Sequence, residues 1–197
     1  MPTAPFLAPT RDDRFAVGRA KGGGTTYYGV PGATLSNTAS TVGPTLNTDY
    51  YWPWFNATPV VIDQLACEVV TGTAGNVRIG FYPADKDWQP GRAPLADSGN
   101  IDTSSTGVKT YTPGTPVYVP RGRYVSIMNA SATGALFRSF GFSPAMIVSA
   151  IGSNPYVQWF SVARAYAAFP TPGTAWDTTA GTTIPGRMMI LYRVLTP

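Results

Sequence analysis

The chain has no histidine, one cysteine and one glutamate. Without histidine, the Ser-His-Asp and Cys-His arrangements of nucleophilic catalysis are excluded outright, and the commonest transition-metal ligand is missing too. Cys67 stands alone, so it can form no internal disulfide, and no structural zinc site can be built around it. In the run VVIDQLACEVV it shares strand parity with Leu65 and Val69, which reads as a small buried hydrophobe. Asp and Glu together number ten. That is a thin stock for a pair of catalytic carboxylates, one of which must hold a raised pKa. Neither the GxxxxGK[ST] phosphate loop nor GxGxxG occurs. The expectation is therefore no enzyme, no cofactor and no metal. Charged residues make up 12% of the chain, against roughly 25% in ordinary globular domains, so solubility must rest on Thr, Ser, Asn and Gly. Long apolar runs are missing as well. The opening MPTAPFLAPTRDD breaks at Pro5 and Pro9, and no signal peptide or membrane insertion is expected.

What is present is turn chemistry and aromatics. There are 21 Gly and 19 Pro among 197 residues, with 13% aromatic and 44% hydrophobic residues. The length suits one or two domains and a core that needs no staples. The net charge is +4 and the pI about 9.3. Arg121, Arg123, Arg138, Arg164, Arg187 and Arg193 are nevertheless scattered singly, so nucleic-acid binding is not expected.

Period-2 alternation marks strands. Short segments are expected at 27–29 and 34–37, and an aromatic run, YYWPWF, at 50–55. The first strong strand is expected at 60–70 and the second at 77–82, joined by 71–75 as a hairpin turn. Residues 108–112 are expected to pair with 117–119, followed by strands at 123–129, 136–142, 156–161 and 187–195. The last is apolar on both faces, as a central strand would be. Tyr51, Trp52, Trp54 and Phe55 read as a core or subunit-interface cluster, and Trp159 as core. Only residues 161–169 suggest a helical turn, stopped by Pro170. Short, regular strands separated by Gly/Pro turns predict an all-β antiparallel sandwich of jelly-roll type over residues 25–197. Residues 1–24 differ, with three prolines, Arg11, Arg14, Arg19 and Lys21, then the triple glycine 22–24. They read either as a disordered terminus or as an extended attachment arm with Phe6, Leu7, Arg11 and Arg14 as contacts.

Residues 75–109, GNVRIGFYPADKDWQPGRAPLADSGNIDTSSTGVK, carry the most specific pattern. A strand with Val77, Ile79 and Phe81 on one face is followed by a Pro/Gly loop, then DSG, then DTSSTGVK entering the next strand. This order resembles an all-β domain of structural proteins of tailed bacteriophages, found in tail and head fibres, spikes and minor tail proteins. The aromatic entrance before residue 60 and the ending AYAAFPTPGTAWD…IPGRMMILYRVL are similar to that family too. The resemblance implies a virion subunit made in the host cytoplasm, a homotrimer associated with capsid, portal or tail proteins; it does not cover residues 1–24, whose composition alone suggests the attachment arm. It supplies no catalytic residue.

Two alternatives stay open. One is an architectural tail or baseplate component. The other is a non-enzymatic module that binds host surface polysaccharide, since sugars stack on aromatic faces rimmed by polar groups. Trp88 lies in a loop bounded by Pro83 and Pro90, among Asp85, Asp87 and Arg92, where no core stripe demands it; it can equally be a subunit contact or a loop-packing plug. Trp176 beside Asp177 is the second candidate for a glycan contact.

Overall fold

The computed structural model describes residues 27–28, 39–56, 59–140, 160–175, 187–188 and 190–195. Among these residues there are fourteen strands and no helix. They are Tyr27–Tyr28 (β1), Ala39–Val42 (β2), Thr48–Asn56 (β3), Val60–Thr71 (β4), Asn76–Pro83 (β5), Ala96–Asp97 (β6) and Ile101–Asp102 (β7). Gly107–Tyr111 (β8), Val117–Val119 (β9), Gly122–Ala130 (β10), Leu136–Phe140 (β11), Phe160–Ala163 (β12), Arg187–Met188 (β13) and Leu191–Leu195 (β14) follow. The arm residues Phe6, Leu7, Arg11 and Arg14, the expected strand at 34–37, Trp159 and Trp176 lie outside the described residues.

The strands form two antiparallel sheets. β1, β2, β4, β8, β9, β11, β13 and β14 make the first, and β3, β5, β6, β7, β10 and β12 the second. Four pairings nest inside one another. β2 pairs with β11, β3 with β10, β4 with β8 and β9, and β5 with β6 and β7. Such nesting is one long hairpin rolled on itself, with alternate layers falling in opposite sheets. This is the jelly roll that the strand spacing predicts. β12 adds to the free side of β3, and β14 lies between β1 and β4. The strand expected at 187–195 is thus two pieces: β13 ends the sheet beside β11, and β14 is interior, as its apolar character predicts, with Tyr192 buried.

Two expected pairings are corrected. β4 and β5 are not a hairpin, because they lie in opposite sheets. Residues 72–75 carry the chain across the sandwich as an arch, and Thr103 fills it. The Thr103 hydroxyl donates to the Thr73 carbonyl at 2.9 Å. The two backbones bond at Thr73 N–Thr103 O (2.9 Å) and Thr103 N–Gly75 O (3.0 Å). Gly75 has φ +150°, and a Cβ there would lie 2.6 Å from that of Ala132. An arch lets Val69 and Val77 both face the core, and a hairpin turn has the same Gly/Thr composition. Likewise β8 and β9 do not pair with each other; both line one side of β4. Residues 161–169 form no helix. Their first part continues β12 along β3, with Val162 opposite Asp49.

The main core lies between the sheets. Trp54 is fully buried, 4.8 Å from the ring of Tyr124 (stacked), 5.6 Å from Tyr192 and 6.0 Å edge-on to Phe81. Side chains of this size contribute about 1.5–3 kcal/mol each on burial, with ring contacts adding to that. Polar links between the sheets include Ser126 Oγ to Tyr192 Oη at 2.6 Å and Asn56 Nδ2 donating to the Val119 carbonyl at 3.0 Å. Cys67 is buried here. Burial pushes its thiol up to about 12, with the Lys109 charge pulling weakly the other way.

An acid raised in the folded state stabilises the fold below its ordinary value, and that stability is lost as pH rises towards the folded value. We therefore expect Cys67 to resist a thiol reagent at pH 8 in the native protein and to react stoichiometrically in urea. Stability should fall as pH climbs above 9.0, the ordinary thiol value, and fall less steeply in Cys67→Ala. Rapid labelling of native Cys67, or identical alkaline profiles, would show that the thiol is not held this way.

Candidate functional site

The second sheet is apolar on its outer face as well as its inner one. Odd-numbered residues of β3 and β10 and even-numbered residues of β5 point outward, and among them Tyr51, Tyr82, Val125 and Ile127 are fully buried. A second, smaller core covers them, built on Phe169 with Ala84, Trp88 and Val162 at its margin. Phe169 belongs to residues 164–175, a strap that leaves β12 and crosses this face. Gly80 makes room for it, since a Cβ there would meet Phe169 Cε2 at 3.0 Å and collide with the Ala96 carbonyl.

Two ion pairs hold the strap down. Asp49 is wholly buried, and Arg164 grips its carboxylate with two nitrogens, Nε on Oδ2 and Nη2 on Oδ1, the latter at 2.9 Å. Asn129 donates to the same Oδ1 at 2.6 Å and to the Arg164 carbonyl at 3.1 Å; Tyr51 donates to Oδ2 at 3.3 Å. Burial works against the Arg164 charge, but the Asp49 hydrogen bonds and charge outweigh it and hold the guanidinium protonated. Burial, with the Asp49 charge adding to it, raises the phenols of Tyr51 and Tyr82. On the other flank Arg78 pairs with Asp97 at 3.0 and 3.3 Å, and Asp97 accepts the Phe169 amide at 3.0 Å. Both guanidiniums lie over the Phe169 ring, at 5.7 Å for Arg164 and 6.0 Å for Arg78. Tyr82 Oη donates to the Pro170 carbonyl at 2.9 Å, and Tyr166 Oη to Asn100 Oδ1 at 3.0 Å.

The loop singled out for Trp88 borders this covered face. Asp85 shapes it. Its Oδ1 accepts the amides of Asp87 (2.8 Å) and Gln89 (2.9 Å), and its own amide donates to the Gln89 carbonyl. The closed turn puts Trp88 at φ +66°, a left-handed conformation costly for a large side chain. Trp88 is half-buried and packs against the outer core, with Arg123 Cζ 5.4 Å from its ring centroid. It is therefore partly a loop plug and only partly a surface ring. Asp87 is exposed and paired with Lys86 at 2.6 Å. Arg92 is exposed, and its carbonyl accepts the Gly173 amide at 3.3 Å, which ties loop to strap. Asp85, Asp87, Trp88 and Arg92 thus stay on one loop, as the sequence places them.

Register adds partners that the sequence does not suggest. Phe55 lies directly opposite Arg123 across β3 and β10, and Arg121 Cζ is 5.8 Å from the Phe55 ring. Arg121, Phe55, Arg123 and Trp88 therefore form one continuous corner at the end of the face, with Phe55 44% exposed. Of the cluster expected as core or subunit interface, Tyr51, Trp52 and Trp54 are buried and Phe55 is not. Arg123 also donates to the Lys86 carbonyl at 3.0 Å. Neither Arg121 nor Arg123 meets a carboxylate among the described residues. Among those residues no group of three His, Cys, Asp or Glu side chains converges on a metal position. Asp49, Arg164 and Asn129 were not foreseen either. They are 80 and 115 residues apart along the chain, and no local spacing signals such a contact.

No family model, curated protein or solved structure matches this chain.

Removing one partner from a buried ion pair leaves an uncompensated charge. Asp49→Ala should cost about 3 kcal/mol in urea unfolding and should open residues 164–175 to protease while β3 and β10 stay protected. A loss below about 1 kcal/mol, the scale of an exposed pair, would show that the strap does not depend on this lock.

Proposed function

We propose that this chain is a structural subunit of a tailed-bacteriophage particle, a head or tail fibre, spike or decoration protein attached through residues 1–24. The observation that carries this reading is the run 75–109. Its resemblance to the phage structural domain falls on residues with identifiable mechanical work. Ser98 Oγ accepts the Ile79 amide at 2.9 Å, and the Ser98 amide donates to the Ile79 carbonyl at 2.9 Å. Together they close the edge of β5 between β6 and β7. Gly99, at φ +64°, turns the chain there. Asp102 caps the next turn through Ser104, and Thr103 fills the arch. The DSG and DTSSTG elements therefore belong to the scaffold, and a shared scaffold supports kinship in fold more firmly than in ligand.

The low charge content and the exposed Val108 (55%) and Tyr118 (61%) on the β8–β9 edge support a life packed against neighbours. The family resemblance makes a homotrimer the form of assembly proposed. A second reading, contact with the host surface, is favoured by the Arg–aromatic corner.

Deleting residues 2–24 should leave the thermal melt of the body unchanged and abolish incorporation into particles. Gold-labelled antibody on intact virions should mark either head or tail. Absence of the protein from purified particles would overturn the virion reading, whereas incorporation of the truncated chain would overturn only the role of the arm.

A further inference from the structure

The corner formed by Arg121, Phe55, Arg123 and Trp88 has the makings of an oxyanion site. A guanidinium laid on an aromatic ring is held in plane by cation–π attraction and keeps its N–H fork free at the edges. Arg121 lies over Phe55 and meets no carboxylate among the described residues. Arg123 is placed over Trp88 and spends Nη1 on the Lys86 carbonyl. Both arginines are exposed. Arg123 is the second residue of β10 and Arg121 sits in the bend just before it, so two residues of chain keep their Cα atoms within about 7 Å of each other. The nearby acidic groups are engaged, Asp87 by Lys86 and Asp85 by the amides of its own loop. Elsewhere among the described residues Arg78, Arg138 and Arg164 each bind a carboxylate bidentately. Arg121 and Arg123 lie over rings, as Arg78 and Arg164 do, but face solvent.

We infer that this corner binds an acidic polysaccharide, with Arg121 and Arg123 taking sugar carboxylates and the Phe55 and Trp88 rings taking the apolar C–H faces of the sugar. A uronic-acid residue presents a carboxylate rigidly beside a C–H face, which matches a guanidinium beside an exposed ring. An acidic peptide carries its carboxylates on flexible stems with no rigid apolar face beside them. A nucleic acid needs a longer row of cations than these two. The site does not depend on the virion reading, because a sugar site and a place in a particle fail in different experiments.

The test is retention of the full-length protein in affinity gels containing alginate, dextran sulfate, unmodified dextran or poly-glutamate at about 150 mM salt. Alginate should retard it and unmodified dextran should not. Arg123→Ala and Arg121→Ala should each weaken retention roughly tenfold. Arg123→Lys should weaken it nearly as much, because lysine keeps the charge but loses the fork and the stack. Lys109→Ser, the same charge loss on the opposite sheet, should change it little. The Arg121 and Arg123 variants should melt within a few degrees of the parent, since both side chains are exposed, and the melt of Lys109→Ser is measured beside them because Lys109 is half-buried. The proposal fails if alginate gives no retardation, if Lys109→Ser weakens it as much as Arg123→Ala, or if Arg123→Lys binds like the parent. It also fails if poly-glutamate is held as tightly as alginate, which would make the ligand an acidic protein surface. Stronger retention by dextran sulfate than by alginate would overturn the choice of carboxylate.

Discussion

The second sheet has two apolar faces, and the opposing sheet can cover only one of them. Most of what is unusual in this molecule follows from that constraint. Tyr50, Trp52 and Trp54 on one side of β3 meet the first sheet, which leaves Tyr51 on the other side with Val125, Ile127 and Tyr82. Uncovered, these rings and branched chains would form an exposed patch of the kind that draws proteins into association. Residues 164–175 cover them, with Phe169 seated on Gly80. A strap with no regular backbone ladder of its own needs anchors, and the buried Arg164–Asp49 pair and the Arg78–Asp97 pair supply them. Buried pairs of this kind add little net stability over an apolar substitute, but they are severe about geometry. What they fix is the position of the strap.

That position shapes the rest of the face. The strap occupies the Asp49–Gly80 end and joins the 84–92 loop through Pro90 and Gly173, and among the described residues the far corner keeps Phe55, Arg121 and Arg123 exposed. There β3 and β10 place Phe55 beside Arg123, and the loop folds Trp88 back underneath. The same loop that fills a gap in the outer core also presents the surface on which a ligand would land. A single side chain, Trp88, is divided between the two tasks, and its left-handed backbone marks where they meet.

The strands were legible from the sequence because their cause is local. Alternation in 60–70, 77–82 and 123–129 follows from one face being buried, and Gly/Pro punctuation between them follows from the turns. Cys67 could be assigned to the core by parity alone. The nesting of strand pairs follows only in outline, since many short antiparallel strands suit few architectures. Which turns are arches was not legible. Residues 71–75 have the composition of a hairpin turn, and what makes them an arch is Thr103, some thirty residues on, occupying the space inside. The helical look of 161–169 came from alanines, which are small enough to lie flat on a sheet as well as to wind into a helix. Of the candidate site, Trp88 and its loop were visible as an aromatic without a core stripe. Its partners Phe55, Arg121 and Arg123 were not, because they reach it through register.

The sequence by itself determined the material: two-faced strands, a chemistry without histidine or clustered acids, and a run at 75–109 able to finish a sheet edge. These are properties of residue type and of spacing over a few positions. The tertiary structure alone decided which face each strand gave to which layer. It also decided that Asp49 meets Arg164, and that two of the scattered arginines end side by side on aromatic rings. Such outcomes depend on pairings between residues tens of positions apart. Their partners are selected by the packing of the whole sandwich, and no local pattern in the chain records that choice.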